Sequence, residues 1–274
     1  MTKTALLTGA TGGLGQAIAK AFTADGYRLI LVDFDAKRLA DMATGYPGST
    51  THVLDQRDAA AVAQFCDDVI EQGQSIDVAV VNAGMLTIGN VAAISRQAML
   101  DQLQVNLIAG ALLVQSLARR MSQDRKGHIL ATVSMGGIVS LKGSATYSAS
   151  KFGLRGLLWG LRDELASDGV HVTGIYPAGV DTPLLRHEAR HGGSALNFVG
   201  DPVTVDDVVK AIMNAIRKPR LEVYVPASEG ITGRIAGAWP GILSRLYPIL
   251  ERMGEKGRAK FLRKIGEAGN PTLR

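Results

Sequence analysis

The stretch Thr4-Ala5-Leu6-Leu7-Thr8-Gly9-Ala10-Thr11-Gly12-Gly13-Leu14-Gly15 decides the fold of this chain. Its first five residues read as a buried strand, and the glycines after them mark a turn before a helical pattern begins near residue 13. Glycines at that junction let the backbone approach a pyrophosphate, whose charge the free N–H groups at the helix start favour. Gly9, Thr11, Gly13, Leu14 and Gly15 are therefore candidate dinucleotide contacts.

Outward from that turn, short β-branched runs alternate with helical patterns. Strands are expected at 4–8, 28–33, 50–54, 77–82, 128–134, 170–176 and 221–225, and helices at 13–25, 36–44, 58–72, 95–121, 147–168 and 204–218. Several strands are apolar almost throughout, among them Leu29 to Val32 and Val78 to Val81, as a parallel sheet covered on both faces requires. The expected fold is α/β, a Rossmann-like doubly wound parallel sheet with helices on both faces, plus a C-terminal helical appendage. Residues 1–228 are assigned to the dinucleotide-binding catalytic domain and 229–274 to the appendage. The stretch from Pro183 to Asp201 reads as one long irregular, functional connection.

Composition narrows the class. The 274 residues are 46% hydrophobic and 20% charged, which excludes a disordered chain. A single cysteine excludes an intramolecular disulfide framework and suggests a reducing compartment. The glycine turn comes too early to leave room for a secretory signal, and no run of about 18 apolar residues exists, so a cytoplasmic protein is expected. The net charge of +5 is unevenly placed: from Gly230 onward nine basic residues face three acidic ones, while residues 1–229 carry 21 basic against 22 acidic. The basic character belongs to the tail, and a nucleic-acid-binding body is not implied.

Asp33 ends the second strand, 18 positions beyond Gly15. A carboxylate there can accept from an adenosine ribose 2′-hydroxyl and would repel a 2′-phosphate, and neither Gly12 nor Phe34 offers a cation for that phosphate. NAD is expected over NADP. Asp55, Asn82-Ala83-Gly84, Asn106 and Ser134 are polar groups read as ending strands or starting helices, where the ligand crevice of a parallel sheet opens. Tyr147 and Lys151 stand at i and i+4 and share one helix face. A free Tyr has a pKa of about 10; a neighbouring ammonium favours the phenolate, which could take a proton from an alcohol or return one to a carbonyl. Ser134 precedes Tyr147 by 13 residues.

With these motifs in order, the chain resembles the short-chain dehydrogenase/reductase family, in the branch marked by TGxxxGxG, NAG, a Ser thirteen residues before YxxxK, and a downstream PGxVxT-like turn. The elements are Thr8 to Gly15, Asn82 to Gly84, Ser134 with Tyr147 and Lys151, and Pro177 to Thr182, covering about residues 3–226. The resemblance implies Tyr147 as acid/base, Ser134 as the group orienting the reacting oxygen, and Lys151 as holder of the nicotinamide ribose. It implies Asn106 as positioner of a relay water, Asp55 at the adenine, and Val180 and Thr182 at the carboxamide, with Gln56 and Pro177 as further cofactor-binding residues. It also implies a homodimer or homotetramer built through long helices. Two departures stand out: Val81 replaces the Asn that usually begins NNAG, and Ala178-Gly179 replaces the single Gly after Pro.

The tail from Gly237 to Ile265 carries Trp239, Ile242, Leu243, Leu246, Tyr247, Leu250 and Met253 at helical spacing, with Arg245 and Arg252 available to another face and Pro248 expected to kink or divide the helix. Two uses stay open: peripheral contact with a membrane surface, or packing on the body or a partner subunit over an apolar cleft. Either suggests a lipophilic small-molecule alcohol or ketone of steroid, isoprenoid or long-chain type. Cys66 reads as a packing thiol, and His187 with His191, lacking a third ligand, as no metal site. The expected activity is NAD(H)-dependent interconversion of a secondary alcohol and ketone, or a primary alcohol and aldehyde. The alternatives are a non-catalytic NAD(H) sensor and an NAD-using epimerase or dehydratase on the same fold.

Overall fold

A computed structural model describes residues 2–269. Seven strands form one parallel sheet in the order β3-β2-β1-β4-β5-β6-β7. They are β1 (Thr4–Thr8), β2 (Arg28–Asp33), β3 (Thr50–Val53), β4 (Val78–Val81), β5 (Gly127–Thr132), β6 (Val170–Pro177) and β7 (Glu222–Val225). The helices of the body are α1 (Gly13–Ala24), α2 (Ala36–Ala43), α3 (Ala59–Phe65), α4 (Arg96–Leu103), α5 (Gly110–Asp124), α6 (Ala145–Glu164), α7 (Pro183–His191) and α8 (Val205–Arg217). Two more follow β7: α9 (Ala227–Ala238) and α10 (Pro240–Gly269).

Alternation along the strands sends side chains to two cores. Ala5 and Leu7 of β1 join Ile18 and Phe22 of α1, Leu39 of α2 and Ile212 of α8 on one face. Leu6 joins Val62 of α3, Leu113 and Leu117 of α5, and Leu154 and Leu158 of α6 on the other. Burying a leucine or isoleucine fully contributes about 1.5–3 kcal/mol, so these stripes hold the helices against the sheet. Side chains cap the helices where the sequence supplies them: Asp35 accepts from Arg38 N at 3.0 Å, Asp58 from Ala60 N at 2.9 Å and Ser95 from Ala98 N at 3.1 Å. Helix α1 differs, having neither a capping side chain nor an acidic residue in its first turn.

Three elements depart from expectation. The stretch 183–201 is not irregular: it holds α7 and a 3₁₀ turn at Ala195–Phe198. Thr182 caps α7, Pro183 opens it and Gly192 ends it at φ 87°, an arrangement that needs no long apolar stripe. The helix expected over 95–121 is α4 and α5 joined by a π-helical segment, Gln104–Ala109, which places Asn106 inside a helical run rather than at a helix start. Pro248 does not divide the tail. The break falls at Trp239–Pro240, since a proline is tolerated at a helix start, and Pro248, which has no amide N–H to donate, lies inside the longer helix α10.

Helix α10 returns to the body. Phe261 and Ile265 are buried with Leu185, Ala189 and Phe198, and the backbones meet closely because a Cβ on Gly254 or Gly257 would overlap the carbonyls of Ala195 and Phe198. Leu243, Tyr247 and Leu250 are partly buried, whereas Trp239, Ile242, Leu246 and Met253 are exposed, so the expected single stripe is two. Among the described residues no helix is long and apolar enough to cross a membrane.

Candidate active site

Strand order reverses between β1 and β4, and a cavity of about 620 Å³ opens there at the carboxyl ends of the strands. Its wall contains every residue singled out from the sequence for cofactor or chemistry except Asn106.

The glycine turn forms one side. Gly9 has φ +64°, and a Cβ on it would stand 2.9 Å from Ala83 Cα; a Cβ on Gly15 would overlap the Gly9 carbonyl oxygen. Only glycine fits these two positions. The turn is tied to β4 by Thr8, whose hydroxyl accepts from Asn82 N at 3.0 Å and Ala83 N at 3.1 Å. Asn82 Nδ2 donates to Thr8 O at 3.2 Å, and Asn82 Oδ1 accepts from Thr132 Oγ1 at 3.1 Å, so its side chain stitches three strand ends together.

Asp33 is buried, and its two oxygens accept from Thr11 N at 2.9 Å and Asp35 N at 3.2 Å. The carboxylate thus orders the turn as well as facing the cleft. Two cations absent from the sequence reading share this end of the wall. Arg38 donates to Thr11 O at 2.6 Å, and Arg57 pairs with Asp55 at 2.6 Å, holding that carboxyl below its ordinary range. Gln56 is buried with Oε1 lacking a protein partner.

The other end holds Ser134, Tyr147 and Lys151. Ser134 has φ 114° and ψ 155°, a conformation open essentially to glycine alone, and such strain in a non-glycine residue concentrates at functional positions. Its hydroxyl accepts from Gly136 N at 3.1 Å and meets the Tyr147 phenol. Lys151, one turn beyond Tyr147 on α6, is buried and donates to Thr132 O at 2.8 Å. The expected lowering of the Tyr147 pKa is not what the side chains alone produce. Burial pushes the phenol up to about 12, a rise opposed by Ser134 and aided by Glu188, and burial pulls Lys151 down to about 8. Desolvation of each group outweighs their proximity.

Asn106 stands behind this group instead of lining the cavity. Its amide is fixed to Met85, accepting from N at 2.8 Å and donating to O at 2.9 Å, and reaches Ser150 Oγ at 3.3 Å. A Cβ on Gly84 would touch both Asn106 Oδ1, at 3.5 Å, and Lys151 Nζ, at 3.7 Å, so the two side chains flank that glycine.

The remaining wall comes from Pro177, Val180, Thr182 and α7. Thr182 caps α7 and packs beside Gly13, joining this segment to the glycine turn. Glu188 is a cavity residue that the sequence reading missed. It is buried, its Oε1 accepts from Ser194 N at 3.0 Å and Asn197 Nδ2 at 2.7 Å, and burial raises its pKa. The Thr182-Pro183 start and Gly192 stop were the available signal, since a helix there turns Glu188 inward with Leu185. His187 and His191 stack at 4.0 Å on the exposed side, and among the described residues no three His, Cys, Asp or Glu converge.

The sequence profile of the short chain dehydrogenases matches residues 3–192. A D-threitol dehydrogenase of Mycolicibacterium smegmatis is 34% identical over 200 residues, 71% of this chain and 76% of that protein. A short-chain dehydrogenase of Streptomyces avermitilis superposes with a TM-score of 0.76 at 26% identity, covering 91% of this chain and 97% of the other. One from Sphingobium yanoikuyae, solved with NADPH, gives 0.75 at 26% identity over 88% and 95%. With the matching profile covering most of its length, the chain belongs to the short-chain dehydrogenase/reductase family of oxidoreductases.

Proposed function

We propose that the protein is an NAD(H)-dependent oxidoreductase interconverting a lipophilic secondary alcohol and its ketone, or a primary alcohol and its aldehyde. The observation that carries this reading is the convergence of Ser134, Tyr147 and Lys151 at one end of a cavity whose other end is the glycine turn. The residues present fit a dinucleotide. The α1 start leaves its N–H groups without a capping side chain, Gly9 and Gly15 admit no Cβ, and Gln56 Oε1 is buried without a partner. Gly9 to Gly15 would hold the pyrophosphate, Asp33 the adenosine ribose, Asp55 and Gln56 the adenine end, and Lys151, Pro177, Val180 and Thr182 the nicotinamide end.

When bound, the cofactor supplies or accepts the hydride. Tyr147 holds a proton on its phenol at neutral pH and gives it to a carbonyl oxygen, or takes one from an alcohol in reverse. Ser134 shares a hydrogen bond with that phenol and orients the reacting oxygen. The Lys151 ammonium stabilises the negative charge that develops on the phenol, and Asn106, behind this group, ties Met85 to Ser150 of α6. Preference for NAD rests on Asp33, whose negative charge would oppose a 2′-phosphate. Arg38 and Arg57 favour the NADP reading, yet the first is engaged by Thr11 and the second by Asp55.

The lipophilic substrate is supported by Met85, Leu86, Leu141, Leu184 and Leu185 in the cavity wall. Glu188 and Asn197 add two polar points to it. The relative named a D-threitol dehydrogenase supports an alcohol as the reacting group. Exposed Phe152 and Trp159 on α6 and exposed Ile108 in the π-helical segment support a homo-oligomer formed through the long helices. The buried lone thiol of Cys66 suits the cytoplasm. Residues 1–228 would be the catalytic unit and 229–274 its appendage.

The test is incubation of the full chain with NAD and a panel of alcohols graded in size and hydrophobicity. Accumulating NADH, rising with substrate hydrophobicity, is the expected result. No NADH with any alcohol, or preference for small sugars, would overturn the reading.

A further inference from the structure

We propose that α9 and α10 seat the protein on an anionic lipid surface. The observation is a line of large apolar side chains on consecutive helices: Ile231, Ile235, Trp239, Ile242, Leu246, Ile249 and Met253, each 47–59% exposed. Within each helix the steps of three and four residues are those of one face, Ile231 and Ile235 on α9 and Ile242, Leu246, Ile249 and Met253 on α10, with Trp239 at the junction. A monomer rarely exposes so many large apolar residues on adjoining helices without an interaction to cover them.

Both helices are fixed to the body by a different side. On α9 the inward side is Gly230, Gly233 and Gly237, where a Cβ would meet Tyr224, Met135 and the Ile138 carbonyl. On α10 it is Tyr247, Gly254, Gly257, Phe261 and Ile265. The Tyr247 hydroxyl accepts from Lys142 N at 2.8 Å, and Phe261 and Ile265 enter the cluster with Phe198. The apolar line therefore points outward on a scaffold that the fold holds in place.

Charge selects the occupant. At about 100° per residue, Arg245, Arg252 and Lys256 fall on one flank of the α10 line, roughly 50–90° from its centre. Glu251 and Glu255 fall about 150–170° from that centre, and both are engaged, by Lys142 at 2.7 Å and Arg258 at 3.3 Å. An apolar face edged by cations, with acids turned away, is what a helix lying among anionic head groups requires. A second copy fits less well, since an isologous contact would bring this cation row toward its own twin with no acid on the near side. The helix lies on the surface and does not span it, being too polar overall to cross. Leu141 and Ser144, which flank the Lys142 anchor, line the substrate cavity, so lipid contact would also place that cavity beside the source of an apolar substrate.

The experiment is co-sedimentation of the full chain with phosphatidylcholine vesicles and with vesicles containing phosphatidylglycerol. Trp239 emission is followed in a Trp159→Phe background, which leaves one tryptophan. The expected result is sedimentation with the anionic vesicles, weakened by salt, with a blue shift of Trp239. Leu246→Glu with Ile249→Glu should lower the bound fraction about tenfold, and Arg245→Glu with Arg252→Glu should abolish the preference for anionic vesicles. These positions are solvent-exposed, and NADH binding by each variant separates loss of docking from loss of the nucleotide site. Absence of sedimentation and of the blue shift would overturn the proposal. So would a Leu246→Glu/Ile249→Glu variant that sediments normally, or one whose only change is a smaller oligomer in solution, which would assign the face to a second copy.

Discussion

The Lys151 ammonium lies 5.7 Å from the centre of the Tyr147 ring and at the same time donates at 2.8 Å to the Thr132 carbonyl. The carbonyl anchors the cation to the end of β5, and α6 carries both side chains, so neither can drift from the other. With the phenol near 12 and the amine near 8, both hold their protons at pH 7. In the proposed reaction such a site would start as an acid able to protonate a carbonyl. Replacing Tyr147 by Phe removes that proton and little else, because Ser134 keeps its bond from Gly136 and Lys151 its bond to Thr132. Turnover should fall by about 10²–10⁴-fold or more, with NADH affinity within a few-fold of the parent by fluorescence titration. Near-normal turnover would remove Tyr147 from the chemistry.

The sheet was legible because buried parallel strands are written as apolar runs, and the candidate site residues were singled out because glycine, serine, tyrosine and lysine recur at fixed distances along the chain; the structure gathers them around one cavity. What stayed hidden depends on contacts between distant residues. Helix α7 has too few apolar residues to show a stripe, so Glu188 reads as part of an irregular connection until Ser194 and Asn197 are found around it. The inward side of α10 is decided by glycines at 254 and 257 meeting carbonyls some 60 residues earlier, which periodicity cannot express. The rise in the Tyr147 pKa is likewise a property of burial, and the spacing to Lys151 shows only the opposing attraction.

Glu188 gives that rise a handle. Its negative charge helps hold the Tyr147 proton. Glu188→Gln keeps an Oε1 that can accept from Ser194 and Asn197 while removing the charge, so the turn should survive. The pH profile of kcat/KM for alcohol oxidation, which reports ionisation in the free enzyme, should then rise at lower pH than in the parent. An unchanged profile would limit Glu188 to holding α7 and the turn that follows.

Asp33 is the next charge to remove. Asp33→Asn leaves an oxygen to accept from Thr11 N and eliminates the repulsion expected for a 2′-phosphate. Two like charges about 5 Å apart at an effective dielectric of about 20 repel by about 3 kcal/mol. Even half of that shifts discrimination about tenfold, since each 1.4 kcal/mol is a factor of ten. The ratio of kcat/KM with NADP to that with NAD should therefore rise at least about tenfold in the variant. A ratio that does not move would transfer control of cofactor choice to Arg38 and Arg57.

His128 predicts how the fold responds to acid. It is buried on β5 with Nε2 2.8 Å from Thr173 Oγ1. Thr173 gives its only proton to the Arg220 carbonyl at 2.7 Å, so His128 must donate from Nε2, and a second proton would have to go to Nδ1. Burial, reinforced by His171, pulls the pKa from 6.5 to about 4. Above pH 6.5 the imidazole is neutral whether the chain is folded or not, and it adds no pH dependence. Between 6.5 and 4 the unfolded chain binds a proton that the folded one refuses, so stability falls as pH falls, by about 2 kcal/mol at pH 5. His128→Asn should be less stable than the parent at pH 7, yet lose about 2 kcal/mol less between pH 7 and pH 5 in urea denaturation. Equal losses in parent and variant would show that other groups set the acid limit.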